Sequence, residues 1–128
     1  MDNDKELAKR RKEIKKIAMK KLRDRPPIFN KQAGFYITIT GGGIDEFLNQ
    51  PHKHYKEKNE MLLIIDEVLK AAEYKGTTTF NGRKSFIFET MLCEEETWII
   101  VTEVKGRGIS LYSISDSNRV LTGIVKPV

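Results

Sequence analysis

The chain is expected to fold as an α+β domain, with helices on one face of an antiparallel sheet of about four strands and a basic helix at the amino terminus. Three observations support this. Apolar residues recur at helical spacing at Leu7, Ile14, Ala18 and Leu22, and again from Met61 to Ala72. The second half is a series of short segments dense in β-branched and aromatic residues. Short connections join those segments, and parallel pairing would need a long crossover. With 128 residues, 39% of them hydrophobic and 32% charged, the chain suffices for a single core.

The first helix is expected from about Asn3 to Asp24, capped by Asp2, Asn3 or Asp4, with Glu6 near its positive end. Arg25-Pro26-Pro27 ends it, because proline lacks an amide donor and forces the preceding residue out of helical geometry. Phe35 to Thr40 alternates apolar and polar residues and reads as a half-buried strand. Gly41-Gly42-Gly43 reads as a turn, since neither Gly-x-Gly-x-x-Gly nor Gly-Lys-Ser/Thr is present. Ile44 to Asn49 forms a short helix with Asp45 and Glu46 in its first turn. A longer helix is expected to start at Pro51 and stop at Gly76, with its stripe at Met61, Leu62, Ile65, Val68, Leu69 and Ala72. Strands follow at Ser85–Cys93, Thr97–Val104 and Ile109–Ser115, broken at Glu94-Glu95-Glu96 and at Lys105 to Gly108. Thr77 to Phe80 adds an edge piece through a turn at Asn81-Gly82. Val120 to Val128 either pairs again or drapes over the sheet. Residues 1–27 thus read as a basic helical arm, and 28–128 as the α+β domain.

Composition excludes several classes. The lone Cys93 cannot form an internal disulfide, and no paired CxxC motifs suggest zinc, so a reducing intracellular setting is expected. No metal and no cofactor is expected. The apolar runs Met61–Ile65 and Trp98–Val101 are far shorter than the roughly 20 residues of a membrane helix. The net charge of +5 is unevenly spread: residues 1–25 hold 11 basic and 5 acidic side chains, which leaves the rest at −1. Attraction for phosphate therefore resides in the first helix or in local clusters. That helix reads either as a solvated element docking through its thin apolar stripe or as an arm gripping phosphates with residues such as Lys9, Arg10 and Lys16.

Chemistry concentrates at Asn49 to Lys56, which holds both histidines, two lysines and Tyr55. Imidazole exchanges protons near neutral pH, and lysine offers fixed positive charge to an anionic substrate. In a helix beginning at Pro51, His54 and Lys58 share a face, and His52 lies at the amides of the first turn. Trp98 and the strand aromatics read as core. Glu94 to Glu96 reads as a solvated hairpin end rather than a metal site.

The order strand, glycine turn, short helix, Gln50-Pro51-His52-Lys53-His54-Tyr55, amphipathic helix ending Ala71-Ala72-Glu73-Tyr74, then strands with Trp98 and Leu111-Tyr112-Ser113-Ile114, resembles phage-borne domains of the barnase, EndoU, colicin and RelE-like nuclease superfamily, often found in large polyvalent proteins of phages and other mobile elements. The resemblance spans about residues 35–117 and leaves the basic helix outside. This chain carries Asp45 and Glu46 where such domains commonly place a basic residue or histidine. The resemblance implies metal-independent cleavage of RNA by internal transesterification, in the cytoplasm of a bacterial host cell. Under it, His54 and His52 are candidates for proton transfer. Lys53, Lys58 and Arg83 are candidates for holding phosphate, and Tyr112, Ser113 and Ser115 for supplying a hydroxyl. Two other readings accompany it: a non-catalytic module that holds nucleic acid or a host protein on the same scaffold, and a toxin-like effector with a neutralising partner.

Overall fold

A computed structural model describes residues 2–106 and 108–127. The side chains of Asp2 and Asn3, expected as helix caps, and residues Arg107 and Val128 lie outside the described residues. Helix α1 (Asp2–Leu22) opens the chain. Its Ile14, Ala18 and Leu22 fall one turn apart, are at most 1% exposed and belong to the main core. The basic helix and the rest of the chain therefore share one hydrophobic interior, as the docking reading of its stripe requires.

A hairpin of β1 (Ile28–Asn30) and β2 (Phe35–Ile37) follows, pairing Ile28 with Ile37. The strand expected to run to Thr40 is shorter because Thr38 leaves the hairpin to bridge Ser110 in parallel, exchanging backbone bonds of 2.8 and 2.9 Å with Ile109 and Leu111. Helix α2 (Gly41–Asn49) then starts at the three glycines, which form its first turn instead of a turn before it. Thr40 caps it, its hydroxyl accepting from Gly43 N–H at 3.0 Å. Gly43 is required by proximity: a Cβ there would lie 2.2 Å from the Leu111 carbonyl oxygen.

The helix expected from Pro51 begins later. Pro51 to His54 is non-helical because its amides are taken by other groups: Lys53 N–H donates to Asp116 Oδ2 at 2.7 Å, and His54 N–H to His52 Nδ1 at 2.9 Å. Helix α3 (Tyr55–Met61), a 3₁₀ turn (Leu62–Ile64) and α4 (Ile65–Ala71) then bury Met61, Leu62, Ile65 and Leu69. Gly76 is not the helix stop. It lies within a strand at φ +135°, where a Cβ would meet the Val125 carbonyl oxygen at 2.2 Å.

The main sheet is an antiparallel meander, β3 (Glu73–Phe80), β4 (Arg83–Leu92), β5 (Glu95–Val104) and β6 (Gly108–Ser115), in that order. Phe86, Phe88, Ile99, Val101, Leu111 and Ile114 face the helices. Ile87, Trp98 and Ile100 face the other way and are covered by Val120, Leu121 and Ile124. The tail does pair again, through a Thr77–Val125 bridge. Among the described residues no helix is long and apolar enough to cross a membrane.

Candidate functional site

The His52–His54 turn is tied to the ends of β5 and β6 on the helix-bearing side of the sheet. The Thr97 hydroxyl donates to the Ser115 carbonyl at 2.9 Å, so its oxygen accepts from His52 Nε2–H at 3.0 Å. With Nδ1 accepting from His54 N–H, both ring nitrogens of His52 are spent, which fixes the neutral Nε2–H tautomer. Burial pulls its pKa below the ordinary value. The charges of His54, Lys58 and Lys53 act the same way, and Asp116 opposes them. His52 is thus a staple that pins the turn to Thr97, a partner invisible without the sheet register.

His54 is the freer imidazole. Its ring centroid is 6.0 Å from that of His52, and its Nε2 lies 3.6 Å from Glu95 Oε2. That nitrogen is buried and has no hydrogen-bond partner. The Lys53 ammonium also contacts Glu95, which holds the carboxyl below and the ammonium above their usual ranges. A ring nitrogen of His54, a carboxylate oxygen of Glu57 and the sulfur of Cys93 lie within 4.8 Å of one another. The His54-x-x-Glu57 spacing is legible in sequence; the approach of Cys93 depends on the β4–β5 hairpin.

Lys58 does not face solvent. It is 0% exposed, donates to the carbonyls of Phe47 and Leu48 at 2.8 and 3.1 Å, and sits 4.4 Å from the Tyr55 ring centroid. It neutralises the carboxyl end of α2 and is out of reach of a bound phosphate. Tyr112, Ser113 and Arg83 do not join the histidines. Ser113 pairs with Ile100 on the face away from the helices and is 2% exposed. Tyr112 packs beside Phe80 on that same face, with Arg83 5.6 Å from its ring centroid. A groove of about 630 Å³ lies elsewhere again, lined by residues that include Arg25, Phe29, Lys31 and Lys70.

The cations of α1 divide into two sets. Arg10 donates to both carboxylate oxygens of Glu60 at 2.6 and 2.8 Å and to Glu13, and these bonds raise its already high pKa. Arg11 bonds Asn49, Lys15 lies 2.8 Å from Asp45, and Lys21 donates to the Leu63 carbonyl at 2.7 Å. Asp45 thus helps to hold α1. The second set is Lys5, Lys9, Lys12, Lys16 and Lys20, all exposed. At 100° per residue they fall within an arc of roughly 80°, opposite the buried stripe, and span roughly 22 Å of helix. Among the described residues none of the five is in an ion pair.

Residues 5–104 match the family model described as large polyvalent protein-associated domain 3. The chain belongs to this family. The matched span of this large polyvalent protein-associated domain takes in α1 from Lys5 onward, both histidines and Cys93, and ends with β5. No curated protein and no solved structure matches the chain.

Proposed function

We propose that this polyvalent-protein-associated domain binds nucleic acid non-catalytically, holding the phosphate backbone along α1. The observation that carries the reading is the row of five uncommitted lysines on a helix whose other face is anchored in the core. A regular row of single charges on a rigid rod suits a polymer of evenly spaced phosphates, and it reads charge rather than base sequence. Lys9 and Lys16 belong to the row, and Lys5, Lys12 and Lys20 extend it. Arg10 is already engaged by Glu60 and Glu13.

A second reading, metal-independent ribonuclease, is favoured by one observation: His54 keeps an imidazole free of structural hydrogen bonds beside Glu95 and Lys53. The experiment measures anisotropy of a labelled single-stranded RNA with the full chain and with a variant carrying Lys→Gln at positions 5, 9, 12, 16 and 20, with folding checked by circular dichroism. Binding that weakens by at least about tenfold in the variant supports the proposal. Undiminished binding overturns it. Cleavage of the RNA in excess EDTA that His54→Ala abolishes would replace it with the ribonuclease reading. Retention of an acidic protein but not of RNA would redirect the lysine row to a protein partner.

A further inference from the structure

We propose that His54, Glu57 and Cys93 form a binding site for one borderline-soft divalent metal ion, of which Zn²⁺ is the type. The proposal stands independently of nucleic-acid binding, because none of the three residues lies on α1. Imidazole nitrogen, thiolate sulfur and carboxylate oxygen are the three donor types that zinc accepts. Here they come from two segments that the fold brings together. His54 and Glu57 are three residues apart at the start of α3, and Cys93 is in the turn between β4 and β5.

Three features of the site favour an ion. The three donor atoms already lie within 4.8 Å of one another, and a tetrahedral site with bonds of 2.0–2.3 Å needs separations of about 3.3–3.8 Å. Two of the three side chains, Glu57 and Cys93, are exposed and free to close that gap by rotamer adjustment. Secondly, His54 Nε2 is buried without a hydrogen-bond partner, the Glu95 carboxylate oxygen standing 3.6 Å away, and an unpaired buried polar atom costs free energy. Finally, Cys93 and Glu94 occupy left-handed conformations at φ +52° and +62°, whereas the equivalent turn at Asn81-Gly82 uses residues that tolerate them.

The charges balance on loading. The metal displaces the thiol proton of Cys93 to solvent, a metal–sulfur bond replaces the S–H bond, and one thiolate plus one carboxylate neutralise the divalent ion beside neutral His54. Three protein donors leave a fourth position for water or for Glu95.

The test titrates the full-length chain with Co²⁺ under reducing conditions, follows thiolate-to-cobalt charge transfer, then displaces the cobalt with Zn²⁺ and counts bound ions by native mass spectrometry. One ion per chain and a charge-transfer band that Cys93→Ser removes are expected. His54→Ala and Glu57→Gln should each weaken Zn²⁺ by at least about tenfold, the loss that removing even an outer-shell partner produces. Circular dichroism confirms that each variant is folded, and Cys93 is exposed, so its replacement leaves the core intact. Absence of the band, absence of one-to-one uptake, or uptake that neither Cys93→Ser nor His54→Ala alters overturns the proposal.

Discussion

His52 illustrates how two demands on one side chain compete. A histidine able to shuttle protons needs a free nitrogen, and this one gives Nε2–H to Thr97 and accepts at Nδ1 from the next turn of backbone. Nitrogen-resolved NMR should therefore find the Nε2–H tautomer at neutral pH and a titration midpoint below the ordinary histidine value. A midpoint above it would mean that the ring is open to solvent. Lys58 makes the same point for a buried cation. Burial, aided by the charge of Arg11, pulls it down to about 7, while the two α2 carbonyls and the Tyr55 ring act to keep it charged. An unfolded lysine titrates near 10.5, so between about 7 and 10.5 the unfolded chain binds more protons and native stability rises with pH. That contribution is complete above the unfolded value and lost below about 7. Lys58→Met should cost on the order of 1–3 kcal/mol at neutral pH by leaving the Phe47 and Leu48 carbonyls unpaired. In urea unfolding, the gap between the wild type and this variant should widen from about pH 7 to about pH 10. A gap that stays level or narrows would show that the ammonium persists in the interior. The glycines supply a third contrast. Gly42→Ala, open to solvent in α2, should change stability by at most about 1 kcal/mol, in the stabilising direction. Gly43→Ala, facing the Leu111 carbonyl, should destabilise by about 1–3 kcal/mol or more.

Among the elements, α1 carries the largest consequence. Leu22→Ala removes a side chain that is 0% exposed and should cost about 2–5 kcal/mol in denaturant unfolding, whereas a helix merely tethered to the domain would register almost no change. Deleting residues 1–22 should likewise abolish cooperative unfolding, so the lysine row is properly tested by substitution and not by truncation. The period-3.6 stripe of α1 was plain in the sequence because Ile14, Ala18 and Leu22 repeat at one-turn spacing. The meander was plain because Asn81-Gly82 and the Cys93-Glu94 neighbourhood separate dense β-branched runs. The β1 half of the hairpin was not, since its three residues carry too few positions to show alternation, whereas β2 lay within the strand read over Phe35 to Thr40. The starts of α2 and α3 were misplaced for a shared reason: glycine tolerance at Gly41 to Gly43 and the Pro51 signal are local, whereas the contacts that decide each start, Leu111 on Gly43 and Asp116 on Lys53, are made across the fold. The candidate site suffered in the same way. Which hydroxyl meets a histidine depends on the face of the sheet, and an irregularity in pairing at Ile100/Val101 leaves Tyr112 packed on the side away from both imidazoles.

At the scale of the whole molecule, the charge asymmetry visible in the sequence becomes a division of labour in space. Acids of the remainder, Asp45, Glu60 and Asp66, hold one flank of α1, and the opposite flank keeps five lysines for something outside the chain. The salt dependence of RNA binding tests this directly. If all five contact phosphates of a single strand, the logarithm of the association constant should fall against the logarithm of salt concentration with a slope of about −3.5, and each lysine replaced by glutamine should reduce that slope by about 0.7. A slope near zero, or one that the substitutions leave unchanged while the variant stays folded, would contradict the account.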